Sequence, residues 1–183
     1  QVTCGTTAHH LLFVDDDLMT FDGTLRVSPP FRSKADRVAL CQGIVNGTID
    51  ALVSDHRPQD LEHYDVEFAL SQSGISGIES LFAVGYSALS MKFTNEESLA
   101  AMIRSLTVGP RTVFGWDAAT IAVGQLADIT WFHEDLTWKS AQISKGTNTL
   151  EAGQLVGKLN ENGELKGQPL GVITPRGAFR QSE

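Results

Sequence analysis

A short apolar run, Ala51-Leu52-Val53, stops abruptly at Ser54-Asp55-His56-Arg57-Pro58-Gln59. Bounded by Gly47 and Pro58, it is too short for a helix and reads as a buried strand over 49–54. Such strands belong in a parallel α/β sheet or barrel, where the loop after a strand's C-terminal end carries the chemistry. Asp55 then stands at that edge. Taken alone, the stretch is better read as an ordinary strand-to-loop Asp that caps nearby backbone N–H groups.

What precedes the run supports a sheet. Residues 1–7 have strand composition, Val2-Thr3-Cys4-Gly5-Thr6-Thr7 following Gln1. His9-His10 and the apolar Leu11-Leu12-Phe13-Val14 come next. Adjacent histidines on a strand point to opposite faces and make a poor chelating pair, so one is expected to be a core or loop hydrogen-bonding residue. Residues 22–32 are loop-like, and Pro29-Pro30 fixes an extended path without helix. Ser33 then caps a helix, with Asp36 three residues on and an apolar set at Ala35, Val38, Ala39 and Ile44. Gly47 closes it. Strand, loop, helix, strand is the rhythm of a βαβ unit.

After Asp55 the spacing predicts a polar loop over 56–66 and a Gly-flanked turn at Ser73-Gly74-Ile75-Ser76-Gly77. An apolar helix should follow from about Ile78 to Leu89. Thr94 and Glu97 form a capping box for a helix to Leu106, with Leu99, Met102, Ile103 and Leu106 on one face. Gly109-Pro110-Arg111 opens a short helix to Phe114. From residue 117 glycines punctuate short apolar runs at 128–132, 155–159 and 171–173, which reads as a small β region. The chain thus divides into an α/β body, 1–116, and a β segment, 117–183.

Composition excludes several classes. Hydrophobic content of 42%, charged content of 20% and a net charge of −8 describe a globular chain without a basic patch for nucleic acid. Asp15-Asp16-Asp17, the longest acidic run, reads as a solvated turn. No run of about 18 apolar residues could span a membrane. Cys4 and Cys41 lack metal spacing and are expected to be reduced, buried and cytoplasmic. A strand beginning at Gln1 is expected of a chain cut from something longer; a natural N-terminal strand or a removed tag would give the same start.

Several pieces, in one order, carry a family resemblance. Val2 to Leu12, with Thr6-Thr7-Ala8-His9-His10-Leu11, resembles a strand ending in Thr-Pro-His-His-Leu. Val27-Ser28-Pro29-Pro30-Phe31-Arg32 is similar to Val-Asn-Pro-Pro-Leu-Arg. Asp36-Arg37 and Gly47-Thr48-Ile49-Asp50 lead to Ser54-Asp55-His56-Arg57-Pro58-Gln59, which resembles Thr-Asp-His-Ala-Pro-His. Ser73-Gly74-Ile75-Ser76-Gly77-Ile78-Glu79 is similar to Pro-Gly-Ile-x-Gly-Leu-Glu. Residues 121–129 are close to Ile-x-x-Gly-x-x-Ala-Asp-Ile, and Ser144-Lys145-Gly146-Thr147-Asn148-Thr149 to Ser-Lys-x-x-Asn-Thr. The chain resembles the C-terminal part of dihydroorotase, a cyclic amidohydrolase of the amidohydrolase superfamily.

The resemblance implies the last two βα units of a (β/α)8 barrel, with strands near 2–7 and 49–54. It also implies the C-terminal strands of a small β-sandwich. This would be roughly the last two fifths of a full-length member. It implies a zinc-dependent hydrolase that opens and closes a cyclic amide, dihydroorotate to and from carbamoyl aspartate, in pyrimidine biosynthesis. Asp55 matches the Asp that binds metal and shuttles the proton. Ser28, Gln59, Ser73 and Gly74 fall at substrate-binding positions. Ser28 and Gln59 depart from the family's Asn and His, and Ala8 from its Pro. The other metal ligands of the family precede Gln1, so this chain alone is expected to bind no zinc and to be inactive. Two alternatives stand beside the enzyme. One is a catalytically inactive homologue that serves as a structural partner of aspartate transcarbamoylase, which Ser28 and Gln59 favour. The weaker is an allantoinase-like hydrolase. The missing N-terminal part of the barrel, or a homo-oligomer, is expected to cover the open sheet edges.

Overall fold

Thr7 decides where the first strand ends. In the computed structural model, which describes residues 2–118, 120–138, 148–150, 155, 158–159 and 161–180, β1 is only Gly5–Thr7. The Thr7 side chain accepts from the His10 amide at 3.4 Å and N-caps a one-turn helix, α1, Ala8–Leu12. His9 and His10 therefore lie on a helix, not on a strand, and both are buried. The opposite-faces argument does not apply to them, because the cap turns the chain before the strand can reach them.

The βαβ unit forms as its rhythm predicts. Ser33 and Asp36 make a reciprocal capping box for α2, Lys34–Asn46, and Gly47 ends it at φ +81°. The Ser33 hydroxyl and amide hold the Asp36 carboxyl below the usual carboxylate range. β2, Ala51–Val53, then pairs parallel to β1, with Gly5 opposite Ala51, Thr6 opposite Leu52 and Thr7 opposite Val53. The buried stripe of α2 is Cys41, Gly43 and Ile44, while Ala35, Val38 and Ala39 face outward. Periodicity had put all of these but the cysteine and glycine on the core side. Cys41 is buried as expected; Cys4 is exposed, contrary to expectation, its sulfhydryl donating to the Thr48 carbonyl.

Helices follow β2. The loop after Asp55 includes one turn of helix, α3, Leu61–Tyr64. α4, Leu81–Ser90, starts later than Ile78 and is buried from Ala83 to Leu89. α5, Asn95–Leu106, opens on the Thr94–Glu97 box. It buries Ser98, Ala101, Met102 and Ser105, leaving Ile103 outside. α6, Val108–Phe114, follows at once. Arg104 on α5 donates to the carbonyls of Ile44 and Val45, groups the C-terminal turn of α2 would otherwise leave unpaired.

Among the described residues after 116, β3 (Ile129–Trp138), β4 (Leu165–Thr174) and β5 (Gly177–Arg180) form an antiparallel sheet in that order. It is attached to the body through α4. The Ser87 hydroxyl accepts from the Lys166 amide at 2.8 Å, and the Phe82 and Phe132 rings lie 4.5 Å apart. Leu155 and Leu165 join the same buried cluster as α1, α2 and α4. The strand expected at 155–159 is not seen in its described residues: Leu155 is helical, and the amides of Lys158 and Leu159 return to its carbonyl. Lys158 also pairs with Asp17 and sits 5.1 Å from the centre of the Phe13 ring. So one residue of the acidic run is an anchor and not a solvated turn. Among the described residues no helix is long and apolar enough to cross a membrane.

Candidate active site

Asp55 follows β2 by two residues, at the strand's C-terminal end, with φ +42°. Left-handed backbone costs most L-residues about 1–2 kcal/mol and Asp less, because its short polar side chain bonds locally. Strain of this kind concentrates at functional sites. The Arg57 guanidinium meets the Asp55 carboxylate at 3.1 Å, with the arginine side chain half exposed.

The paired histidines support the neighbouring loop. His10 Nε2 donates to the Pro29 carbonyl at 3.1 Å, so Nδ1 takes the proton of the Thr7 hydroxyl, 2.6 Å away. Burial lowers the His10 pKa; the Pro29 and Pro30 carbonyls and the Asp55 charge oppose that shift. The Asp55 field thus reaches His10. Burial drives His9 further down, to about 3, and the neighbouring His10 adds to it. His9 Nε2 has no partner and His9 lines a cavity of about 10 Å³ with Ser54 and Ser80. Phe31 packs edge-on against both imidazoles.

On the other side of Asp55 the loop is tied to the turn at 73–77. The Gln59 side-chain amide donates to the Ser73 carbonyl at 3.1 Å. The Arg57 amide donates to the Ile75 carbonyl at 3.0 Å, and the Ile78 amide to His56 Nδ1 at 3.3 Å. The Gly74 amide donates to the Arg26 carbonyl at 2.8 Å, which links the same turn to the Ser28 loop. Gly74 has φ +145°, and a Cβ there would stand 2.5 Å from that of Arg57, so only glycine fits. Asn148 reaches all of this from the far end of the sequence. Its Oδ1 accepts from the Gln59 amide at 2.9 Å, and its Nδ2 donates to the carbonyls of Arg57 at 2.9 Å and Gly74 at 3.0 Å.

Gln59, Ser73 and Gly74 are therefore brought together beside the Asp55 loop, and exposed Ser28 stands two residues beyond the Arg26 link. The Ser73 carbonyl and both backbone polar groups of Gly74 are engaged within the protein. His10 is the hydrogen-bonding histidine expected of the pair, and two residues given no role by the sequence, Arg57 and Asn148, also belong to this region. Thr7 and His10 carry the spacing of a cap, and Asn148 lies in the tail motif; nothing marks Arg57 beyond its place after Asp55-His56. Residues 144–147 of that motif lie outside the described residues.

Among the described residues, Asp55 belongs to no grouping of three close metal-ligating side chains. Catalytic zinc takes three protein ligands. Both His10 nitrogens are bonded, and His56 Nδ1 receives the Ile78 amide. Among the described residues, the one grouping of three such side chains is Asp60, Glu62 and His63, exposed at α3 and without Asp55. Asp55 can serve as a single ligand whose companions come from elsewhere.

No protein-family model matches the chain. Dihydroorotases do. The chain is 36% identical over 152 residues to dihydroorotase of Bacillus subtilis, covering 81% of this chain and 35% of that protein. It is 32% identical over 169 residues to the Clostridioides difficile dihydroorotase, covering 90% and 40%. Among solved structures it is similar to an L-hydantoinase (dihydropyrimidinase) of Arthrobacter aurescens, with TM-score 0.77, 21% identity and coverage of 98% and 39%. It is also similar to dihydropyrimidinase from Brevibacillus agri, with TM-score 0.74, 24% identity and coverage of 97% and 39%. The chain spans well under half the length of the relatives it matches. It is a homologue of the dihydroorotases over 81–90% of its length, and its fold is part of the (β/α)8 barrel of the amidohydrolases.

Proposed function

We propose that the intact protein is a dihydroorotase, a cytoplasmic cyclic amide hydrolase that interconverts dihydroorotate and carbamoyl aspartate. The observation that carries this reading is Asp55: a carboxylate at the C-terminal end of a parallel strand, in left-handed backbone, beside a loop and turn that bring Gln59, Ser73 and Gly74 together, with the Ser28 loop joined to that turn through the Arg26–Gly74 bond. In this reading residues 1–116 complete the barrel and 117–183 belong to a β-sandwich. The remaining barrel strands, and a homo-oligomer, cover the open edges of β1 and β2.

A carboxylate in that position holds the proton that must move between the attacking water and the ring nitrogen as the amide bond breaks. Zinc in this family activates that water; here Asp55 is one ligand and the others come from the rest of the protein. Gln59 and Ser28 offer hydrogen bonds to the ring and its carboxylate. The test is dihydroorotate turnover by the protein expressed from its full gene, with zinc measured on the same sample. Turnover that disappears in Asp55→Asn is expected. A folded intact protein without turnover would overturn the reading in favour of the second one, an inactive homologue that partners aspartate transcarbamoylase.

A further inference from the structure

Asn148 is 1% exposed, and its side chain makes three hydrogen bonds, all to backbone and all across a sequence separation of at least 74 residues. The two donor bonds to carbonyls and the one accepted bond from an N–H fix which side-chain atom is nitrogen and which oxygen. The Asn148 backbone joins in, its carbonyl accepting from the Ser76 amide at 3.1 Å. Among the described residues the Asp55 loop and the turn that begins at Ser73 are also joined by the Arg57–Ile75, Gln59–Ser73 and His56–Ile78 bonds. We infer that Asn148 is the positioning residue of this site, a clamp that holds residues 57–59 against the turn at Gly74 so that Gln59 and Asp55 face one substrate. The inference rests on the dihydroorotase reading for the substrate, but the clamp itself is a statement about this chain.

The chemistry of the side chain explains why it must be this amide. The Arg57 and Gly74 carbonyls both need a donor, and the Gln59 amide needs an acceptor, at one buried point. Asp at 148 would keep the shape and the acceptor but set a carboxylate against two carbonyls. Leu would leave all three backbone groups unpaired. Asp55 is anchored by β2, which the clamp does not touch, and its neighbour Arg57 keeps its amide bond to Ile75 without Asn148. Loss of the clamp should therefore loosen Gln59 and the turn more than Asp55, and its effect should fall on substrate binding more than on turnover.

The experiment uses the full-length protein and its Asn148→Asp and Asn148→Ala variants, the second in case the buried charge prevents folding. Steady-state kinetics with dihydroorotate and peptide-level hydrogen exchange are read together. The expected result is a KM raised about tenfold or more, a kcat changed by less than about threefold, and faster exchange at 56–60 and 72–76, since small misplacements at a site can cost up to about 100-fold. A purely structural role would lower the folded fraction, so kcat would fall with KM unchanged; that outcome overturns the inference. Unchanged KM with unchanged exchange overturns it too. If the wild-type protein turns nothing over, exchange alone decides. Faster exchange at 56–60 in the variants then upholds the clamp while the dihydroorotase reading fails; unchanged exchange rejects both.

Discussion

Replacing Asp55 by Asn separates chemistry from stability. Asn accepts left-handed backbone as readily as Asp, so φ +42° carries over without new strain. The change removes the charge and with it the ion pair to Arg57. That arginine is half exposed, so the pair contributes at most about 1 kcal/mol after solvent screening. The melting midpoint should fall by no more than about 2–4 °C, by calorimetry on the intact protein. Dihydroorotate turnover should fall about 10²- to 10⁴-fold, the range expected when a proton carrier is lost. A second pair of variants tests the backbone itself. Ala in the left-handed region costs about 1–2 kcal/mol more than Gly, while Gly loses about 0.4–1 kcal/mol through its unfolded-state freedom. Asp55→Gly should therefore be more stable than Asp55→Ala by about 0.5–1 kcal/mol, the reverse of their order in a helix. If Ala proves the more stable, the conformation assigned to Asp55 is wrong. If Asp55→Asn keeps its turnover, Asp55 is only a capping residue.

Thr94→Ala removes the acceptor for the Glu97 amide and one donor to its carboxylate. It should cost about 1 kcal/mol in denaturant unfolding; no loss would mean that α5 is held by packing alone. His9 predicts a pH dependence. Its folded pKa, about 3, lies below its unfolded value of about 6.5, so the unfolded chain binds the extra proton between them. Its contribution to stability is full above pH 6.5 and is lost as pH falls toward 3, by up to about 1.4 kcal/mol per unit. His9→Asn should flatten the slope of unfolding free energy between pH 6 and 5, above the carboxylate range; an unchanged slope would show that His9 is charged in the fold.

What was legible in the sequence was what depends on near neighbours. Ser33–Asp36 and Thr94–Glu97 bond within one turn, so both helix starts could be read from spacing. The run 51–53 needed only its flanking Gly47 and Pro58 to read as a strand, but of its three residues only Leu52 is buried and Val53 is exposed, because among the described residues the sheet stops at β1 and β2. The misreadings arise where tertiary contacts decide. The core side of α2 is Cys41, Gly43 and Ile44, because Gly43 lets Ile49 approach and no periodicity marks a glycine as a contact. His9 and His10 were placed on a strand because Thr7 reads equally as a strand residue and as a cap. Asn148 could be read as part of a motif, but not as a partner of Gln59 and Gly74, since its bonds span at least 74 residues.

Arg57 poses the sharpest question about the site, because it stands where the family's Asp-His-Ala-Pro-His has alanine. Its guanidinium meets the carboxylate that a metal would use, and a cation already on Asp55 must leave before another can bind. Half exposure makes that displacement cheap: an ion pair of at most about 1 kcal/mol corresponds to no more than about a fivefold loss of metal affinity. On the dihydroorotase reading proposed above, Arg57 would therefore weaken zinc binding without forbidding it. Arg57→Ala in the intact protein should bind zinc up to about fivefold more tightly, read by competition with a chelator of known affinity. Its fold should be little changed, since the Arg57 backbone keeps its bonds to Ile75 and Asn148. Equal or weaker zinc binding would refute competition, and weaker binding would mean that the arginine orients Asp55 toward the metal. Tightening far beyond fivefold would mean that Arg57 blocks the site in earnest, and the inactive-homologue reading would then have its mechanism.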